Sequence, residues 1–263
     1  MKYIYRMALF IKIIKAACNA HIGLFTNDPE NSNNDDIYDV VIGGWGNKQS
    51  VIRNVLKGKP MAWCAGDFLD KDEYRDFWIT WKGGKIRVGK GNILGKNIFM
   101  EWNDPNPRKI NHVGVSMDAK NDGFWMFNRH LASYGINTNS TQSVAFKVKA
   151  KNDAYVGLFT NKPDNKTTDF YFIAIGGWKN TGSVIRNTRH GQPKFSDFSG
   201  NFLSENEYRD YWVSWSDGII RVGYGLHVGD NIFMEYDDPE PYDVNYAAVA
   251  TGYGSEGDWI FYI

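Results

Sequence analysis

The stretch FWITWKGGKIRVGKG, Phe77–Gly91, returns as YWVSWSDGIIRVGYG, Tyr211–Gly225, and nothing else restricts the fold of this chain as much. In each copy, two runs rich in Trp, Ile, Val and Thr flank a turn signal, Gly83-Gly84 or Asp217-Gly218. Such pairs close tight antiparallel hairpins, because both turn positions need positive φ. Counting outward from the first turn sets Lys82 against Lys85, Trp81 against Ile86, Thr80 against Arg87 and Ile79 against Val88. Side chains alternate along strands, so Phe77, Ile79, Trp81, Ile86 and Val88 share one apolar face. Trp78, Thr80 and Arg87 share the other. Trp78 falls opposite Gly89, where the missing side chain leaves room for an indole.

Trp78 and Trp212 lie 134 positions apart, and that offset maps most of the 263-residue chain onto itself. HIGLFTNDP (His21–Pro29) matches YVGLFTNKP (Tyr155–Pro163), and VVIGGW (Val40–Trp45) matches IAIGGW (Ile173–Trp178). SVIRN follows at Ser50–Asn54 and Ser183–Asn187. The double glycine implies a bulge or a close backbone approach. Val55–Ala65 and Thr188–Ser199 read as copy-specific loops. DKDEYRD (Asp70–Asp76) and SENEYRD (Ser204–Asp210) carry the spacing of a capping box, predicting one helical turn before each hairpin. NIFMEW and NIFMEY alternate as strands, and last strands end in GFWMF and GDWIF. Short strands divided by Gly, Asn, Asp and Pro, with no sustained helical period, predict an all-β protein of two tandem antiparallel β-sandwiches, jelly-roll-like. The copies span residues 1–128 and 141–263, joined by a polar linker at 129–140.

Charge excludes some partners. Thirty Lys and Arg balance thirty Asp and Glu without runs of like sign, which argues against nucleic acid or an anionic membrane. No stretch is long and apolar enough to span a bilayer. Lys2 and Arg6 precede an apolar run that resembles a secretory signal, but Lys12 and Lys15 interrupt it. Met7–Leu24 also resembles Val144–Leu158, so it is expected to be the first strand of the first copy. Cys18 and Cys64 face Asn or Asp in the second copy, so the fold needs no disulfide there, and a reducing, cytoplasmic setting is the plainer expectation. The sequons at Asn139 and Asn165 matter only in a secreted chain.

Few residues carry chemistry. His21, His112, His130, His190 and His227 do not recur at equivalent places, and no His/Cys cluster has metal spacing. Acidic loops at Asp28, Glu30, Asp35 and Asp36, and at Glu235, Asp237, Asp238 and Glu240, have the oxygen ligands that suit calcium, yet acidic turns are common and no metal is expected. Four tryptophans recur: Trp45/Trp178, Trp78/Trp212, Trp81/Trp215 and Trp125/Trp259. Trp81 and Trp215 belong to the apolar hairpin face and the core. Trp78 with Arg87, and Trp212 with Arg221, either stack beneath a second layer or form an open face. An open face of this kind would stack a sugar ring or hold a carboxylate. Arg53 and Arg186 can join it. The candidate ligand-binding residues are therefore Arg53, Trp78, Arg87, Arg186, Trp212 and Arg221.

The ordered set IGGW, SVIRN, EYRDFW, the Trp-rich hairpin with IRVG, and GFWMF, returning in the second copy with EYRDYW and GDWIF, resembles the arthropod farnesoic acid O-methyltransferase family. The resemblance implies methyl transfer from S-adenosylmethionine to farnesoic acid, giving methyl farnesoate, a juvenile-hormone-type ester. Similar domains also occur appended to other proteins, where no such transfer is expected. The glycine sets Gly89, Gly91, Gly95 and Gly223, Gly225, Gly229 follow a strand but lead into another strand. A cofactor loop would lead into a helix N-terminus, so no cofactor is expected from the residues themselves. Two functions stay open. One is non-catalytic binding of a small molecule, glycan or acidic lipid through the Trp/Arg face. The other is methylation of farnesoic acid with S-adenosylmethionine. Duplication favours binding, since two sites add avidity.

Overall fold

The computed structural model describes residues 8–9, 13–29, 36–117, 124–128, 142–161, 167, 169–252 and 255–262. The expected linker, the asparagines of both sequons, His130, Glu30 and Asp35 lie outside these. The chain divides into two compact units, residues 1–137 with 262–263, and residues 138–261. Each is all-β and antiparallel.

In the first unit, β1 (Ala8–Leu9) and β2 (Ile13–Lys15) precede β3 (Ala20–Phe25), β4 (Ile37–Gly43), β5 (Gln49–Arg53) and β6 (Pro60–Ala65). After them come the hairpin β7 (Phe77–Lys82) and β8 (Lys85–Lys90), then β9 (Ile98–Asn103), β10 (His112–Met117) and β11 (Phe124–Asn128). One sheet runs β10-β3-β4-β5-β6. The other runs β9-β8-β7-β1, and β2 pairs with β11. Ile14 bridges to Arg75 just ahead of β7, which continues the line of β1. The stretch expected to be one strand is thus β1, β2 and β3.

The second unit repeats this with β12 (Ser143–Ala150), β13 (Ala154–Phe159), β14 (Phe170–Gly176), β15 (Gly182–Arg186) and β16 (Phe195–Asp197). It continues with β17 (Arg209–Ser214), β18 (Ile219–Tyr224), β19 (Ile232–Asp237), β20 (Tyr246–Thr251) and β21 (Gly257–Tyr262). Its sheets run β16-β15-β14-β13-β20 and β19-β18-β17-β12-β21. β12 pairs with both β17 and β21, as β1 pairs with β7 and β2 with β11.

Alternation sets the core. On β3, β4 and β5 the residues Ala20, Ile22, Leu24, Val40, Ile42 and Ile52 are fully buried, as are Val156, Leu158, Ile173, Ile175 and Ile185 in the second unit. These meet Ile79, Ile86 and Val88, or Val213, Ile220 and Val222, in an apolar interior. The opposite faces of β3, β4 and β5 carry His21, Asp39 and Arg53, and this outward face leads to the candidate site.

The first hairpin has the register counted from its turn, from Lys82 opposite Lys85 to Trp78 opposite Gly89. Gly83 (φ 58°) and Gly84 (φ 80°), like Asp217 (φ 57°) and Gly218 (φ 79°), adopt the positive φ that the turn demands. A Cβ at Gly89 would lie 2.2 Å from the Trp78 ring, and one at Gly223 2.3 Å from Trp212. Only glycine fits there.

Three local expectations need correction. The capping boxes do not start helices. Asp70 Oδ1 accepts the N–H groups of Asp72 and Glu73 at 2.8 and 3.0 Å, and Ser204 Oγ those of Asn206 and Glu207 at 3.2 and 3.1 Å. The chain then leaves into β7 and β17, because a single capped turn cannot overcome helix nucleation against sheet pairing. The stretches read as loops at Val55–Ala65 and Thr188–Ser199 contain β6 and β16, edge strands. The double glycine makes no bulge; the expected close approach is there, with Leu69 against Gly43 and Leu203 against Gly176, and it opens an unusual turn.

Candidate functional site

Burial sorts the repeated tryptophans. Trp78, Trp212, Trp125 and Trp259 are at most 2% exposed, and Trp81 is 5% exposed. Trp215 is half-buried. Trp45 and Trp178 stand apart at 52% and 50%. Both sit at φ near +50°, Trp45 at φ 52° and ψ 49°, Trp178 at φ 51° and ψ 51°. Gly46 and Asn47 continue in the same region, as do Lys179 and Asn180. A hydrogen bond from Lys48 N–H to the Gly44 carbonyl, and one from Thr181 N–H to Gly177, each 3.0 Å, close one turn of left-handed helix. For L-residues this conformation costs on the order of 1–2 kcal/mol per side chain. In the second unit three consecutive residues with side chains adopt it. Strain of this kind persists only where surrounding structure enforces it, and it concentrates at functional positions.

The enforcement is visible. Gly43 N–H donates to Ser50 Oγ at 3.0 Å, and Gly176 N–H to Ser183 Oγ at 3.1 Å. Asn47 Oδ1 accepts from Leu69 N–H at 2.9 Å while its Nδ2 donates to the Leu69 carbonyl at 2.8 Å and to Asp67. Asn180 makes the same pair with Leu203, both at 2.8 Å. Asparagine suits this place, since it tolerates left-handed backbone and bonds locally. A Cβ at Gly43 or Gly176 would meet Leu69 or Leu203 at 2.8 Å, so glycine is needed at the entry.

Beneath each raised indole lies the arginine of SVIRN. The Arg53 guanidinium carbon is 5.3 Å from the Trp45 ring centre, and that of Arg186 is 5.8 Å from Trp178, within cation–π reach. The surroundings differ between the units. Arg53 donates to Asp39 Oδ2 at 2.8 Å, and Asp39 is 2% exposed. His21 Nδ1 lies 3.3 Å from Asp39 Oδ1. Burial pushes the Asp39 carboxyl up, but His21 and then Arg53 outweigh it, and it sits below the usual carboxylate range. In the second unit Phe172 and Tyr155 occupy the places of Asp39 and His21, with ring centres 4.9 Å apart. Arg186 donates to the Arg189 carbonyl at 3.2 Å, and no carboxylate among the described residues forms an ion pair with it. In both arginines Nε is buried without a hydrogen-bond partner.

Each unit has a further exposed aromatic. Trp63, opposite Val51, is 65% exposed, and Phe198 is 61% exposed. Phe198 lies 5.3 Å from Trp178, and both rings pass over Gly182, where a Cβ would be 2.4 Å from Phe198.

The structure separates the residues expected to act together. Arg53 and Arg186 belong to this site. Trp78 and Trp212 do not: each is closed over by the loop after the hairpin, with its indole N–H donating to the Lys96 or Asp230 carbonyl at 3.0 or 2.9 Å. No sugar ring reaches them. Arg87 and Arg221 pair across strands with Glu101 and Glu235, both at 2.6 Å, on the other sheet of each unit. They are structural cross-strand pairs. The residues missed were Trp45 and Trp178. Their signal was a large aromatic placed directly after Gly-Gly between two apolar strands, where a turn leaves it uncovered.

A methyl-donor cofactor does not fit the glycine sets. Gly89 and Gly223 are filled by indoles, and Gly91 and Gly95 turn the chain into β9, so no helix N-terminus faces them. Two of the four carboxylates of the second acidic loop are already engaged: Asp238 accepts from Tyr171 at 2.7 Å and Tyr236 at 3.1 Å, and Glu235 holds Arg221. Among the described residues no group of three metal-binding side chains converges, and no helix is long and apolar enough to cross a membrane.

Comparison with known proteins gives a family and weak structural likenesses. A Haliotis asinina protein called Uncharacterized protein 5 is 31% identical over 111 residues, covering 42% of this chain and 62% of its own. A BTB/POZ domain-containing protein of Arabidopsis thaliana is 34% identical over 53 residues, 20% of this chain and 7% of that one. This chain therefore spans less than two thirds of either relative. Among solved structures, a native glycosidic hydrolase aligns over 93% of this chain and 95% of its own, with TM-score 0.36 and 13% identity. A Bacillus licheniformis β-glucanase aligns over 70% and 94%, with TM-score 0.36 and 14% identity. The family described as farnesoic acid O-methyl transferase matches residues 6–131 and again 132–262. With nearly its whole length covered by those two matches, the chain belongs to the farnesoic acid O-methyltransferase family and carries its domain twice in tandem.

Proposed function

We propose that this chain is a non-catalytic binding protein whose two units each hold a ligand against a raised tryptophan and the arginine beneath it. The ligand class is a carbohydrate or an acidic lipid. The observation that carries the reading is the left-handed turn that presents Trp45 and Trp178, each about half exposed, in both units. An exposed indole offers a flat apolar face for the C–H face of a sugar or for an acyl chain. The guanidinium below supplies fixed donors and positive charge for hydroxyl or carboxylate oxygens. Two such sites on one chain raise avidity for a repeating or multivalent ligand.

The test is a glycan and lipid array, including farnesoic acid and methyl farnesoate, probed with the wild-type chain and with Trp45→Gly/Trp178→Gly. Glycine relieves the backbone at both positions, so the variant is expected to fold. Binding by the wild type that disappears in the variant is the expected result. Hits bound equally by both proteins would remove these tryptophans from the site. Methyl transfer to farnesoic acid by the purified chain with S-adenosylmethionine would overturn the non-catalytic reading.

A further inference from the structure

The two sites have the same scaffold and different charge. In the first unit Arg53 is neutralised from within: Asp39, itself buried, takes one of its N–H groups at 2.8 Å, and His21 closes the other side of that carboxylate. In the second unit the carboxylate is replaced by Phe172 and the imidazole by Tyr155. Arg186 has one main-chain carbonyl as acceptor, at 3.2 Å, and among the described residues no acidic side chain compensates it. A half-buried guanidinium with donors to spare, beside two exposed rings, is unfinished electrostatically. Charge-assisted bonds to a carboxylate are about twice as strong as neutral ones, and a site built with an uncompensated charge discriminates against ligands that cannot answer it.

We propose that the units have divided their specificity: the Trp178/Arg186 site selects a ligand bearing a carboxylate, and the Trp45/Arg53 site takes a neutral one. Resting on the binding function proposed above, this assigns the chemical class to each copy. Phe198 adds to the assignment. It packs beside Trp178 over Gly182, making a two-ring floor next to the cation. A uronic-acid sugar, with one apolar face and a carboxylate at its edge, matches that floor; a short fatty acid presents the same two features.

The experiment compares each acid with its own methyl ester, which keeps shape and removes charge. Oligogalacturonate against its methyl-esterified form, and octanoate against methyl octanoate, are titrated calorimetrically into two full-length variants. Trp45→Gly leaves the second site, and Trp178→Gly leaves the first. The Trp45→Gly chain is expected to bind one of the acids at least about tenfold more tightly than its ester, and the scaffold that shows the difference identifies sugar or lipid. The Trp178→Gly chain is expected to show less than about a threefold difference. Adding Tyr155→His/Phe172→Asp to the Trp45→Gly chain installs the first unit's trio and should abolish the acid preference while thermal unfolding stays cooperative. Equal binding of acid and ester by the Trp45→Gly chain would overturn the division of specificity and leave the tryptophan sites intact. Binding of no probe by either variant or by the wild type would overturn both readings for these ligand classes.

Discussion

Replacing Lys179 by glycine should stabilise the second unit, although the change removes a side chain and adds no contact. Lys179 sits in the middle of the left-handed turn at φ 61° and ψ 42°. Its side chain is exposed, so deleting it gives up little burial. The first unit already performs the substitution, with Gly46 at φ 69° and ψ 40°. A Cβ in this conformation costs roughly 1–2 kcal/mol. Glycine returns about 0.5–1 kcal/mol of that through its greater freedom in the unfolded chain. The difference leaves a gain of about 0.5–1 kcal/mol for Lys179→Gly. Lys179→Ala keeps the backbone cost and should stay within about 0.5 kcal/mol of wild type. Urea unfolding monitored on the second unit, with Tm alongside, reads both. A gain of this size raises Tm by about 2–4 °C. The reverse change, Gly46→Lys, should lower the first unit by a similar amount. An alanine variant as stable as the glycine variant, or more so, would refute the claim that the turn is strained and with it the physical ground for singling out Trp45 and Trp178.

Other consequences follow from buried groups. Trp212→Ala should cost about 3–5 kcal/mol, as for any fully buried indole removed from a core, whereas Trp178→Gly should cost clearly less in the same denaturation assay. Gly223→Ala drives a methyl to 2.3 Å from the Trp212 ring and should destabilise by about 1–3 kcal/mol, or more if the loop over the indole is displaced. Asp153 is buried beside the turn at φ 57°, and burial raises its carboxyl above the ordinary value even though Tyr155 donates to it at 2.8 Å. A raised carboxyl favours its neutral form in the fold, so its penalty is complete above the folded value and vanishes below the unfolded value of about 3.9. Asp153→Asn should therefore stabilise the second unit at neutral pH, with the gain fading as pH falls through that window; Asn19 holds the equivalent place in the first unit at the same φ of 57°.

The hairpins were legible residue by residue, because a two-residue turn with obligatory positive φ fixes the register and the register fixes both faces. The tandem architecture followed from the offset. What sequence could not supply was which polar-side residue a loop would cover. Alternation places Trp78 on the face away from the core, and correctly so, but the loop ending at Lys96 folds over it and converts an apparent contact residue into an interior one. That closure is a tertiary event with no local signature. Trp45 failed for the opposite reason. Gly-Gly announces special backbone, yet only the structure shows that the left-handed region extends through the tryptophan itself and leaves it raised. Arg53 and Arg186 were legible as candidates because a basic residue follows an apolar run in both copies. Their partners were not, since Asp39 and Phe172 align in sequence without showing which one faces the guanidinium. Edge strands β6 and β16 were hidden by loops of unequal length around Pro60 and Pro193.

The most direct test of binding at the raised tryptophans is the indole region of a proton–nitrogen correlation spectrum during titration with a ligand from the array. Each tryptophan contributes one Nε1–H signal, and the ten positions are distinguished by substitution. The account predicts saturable shifts for Trp45 or Trp178, with Trp78 and Trp212, bonded to main-chain carbonyls in the interior, left in place. Shifts at Trp78 or Trp212 while Trp45 and Trp178 stay fixed would contradict it.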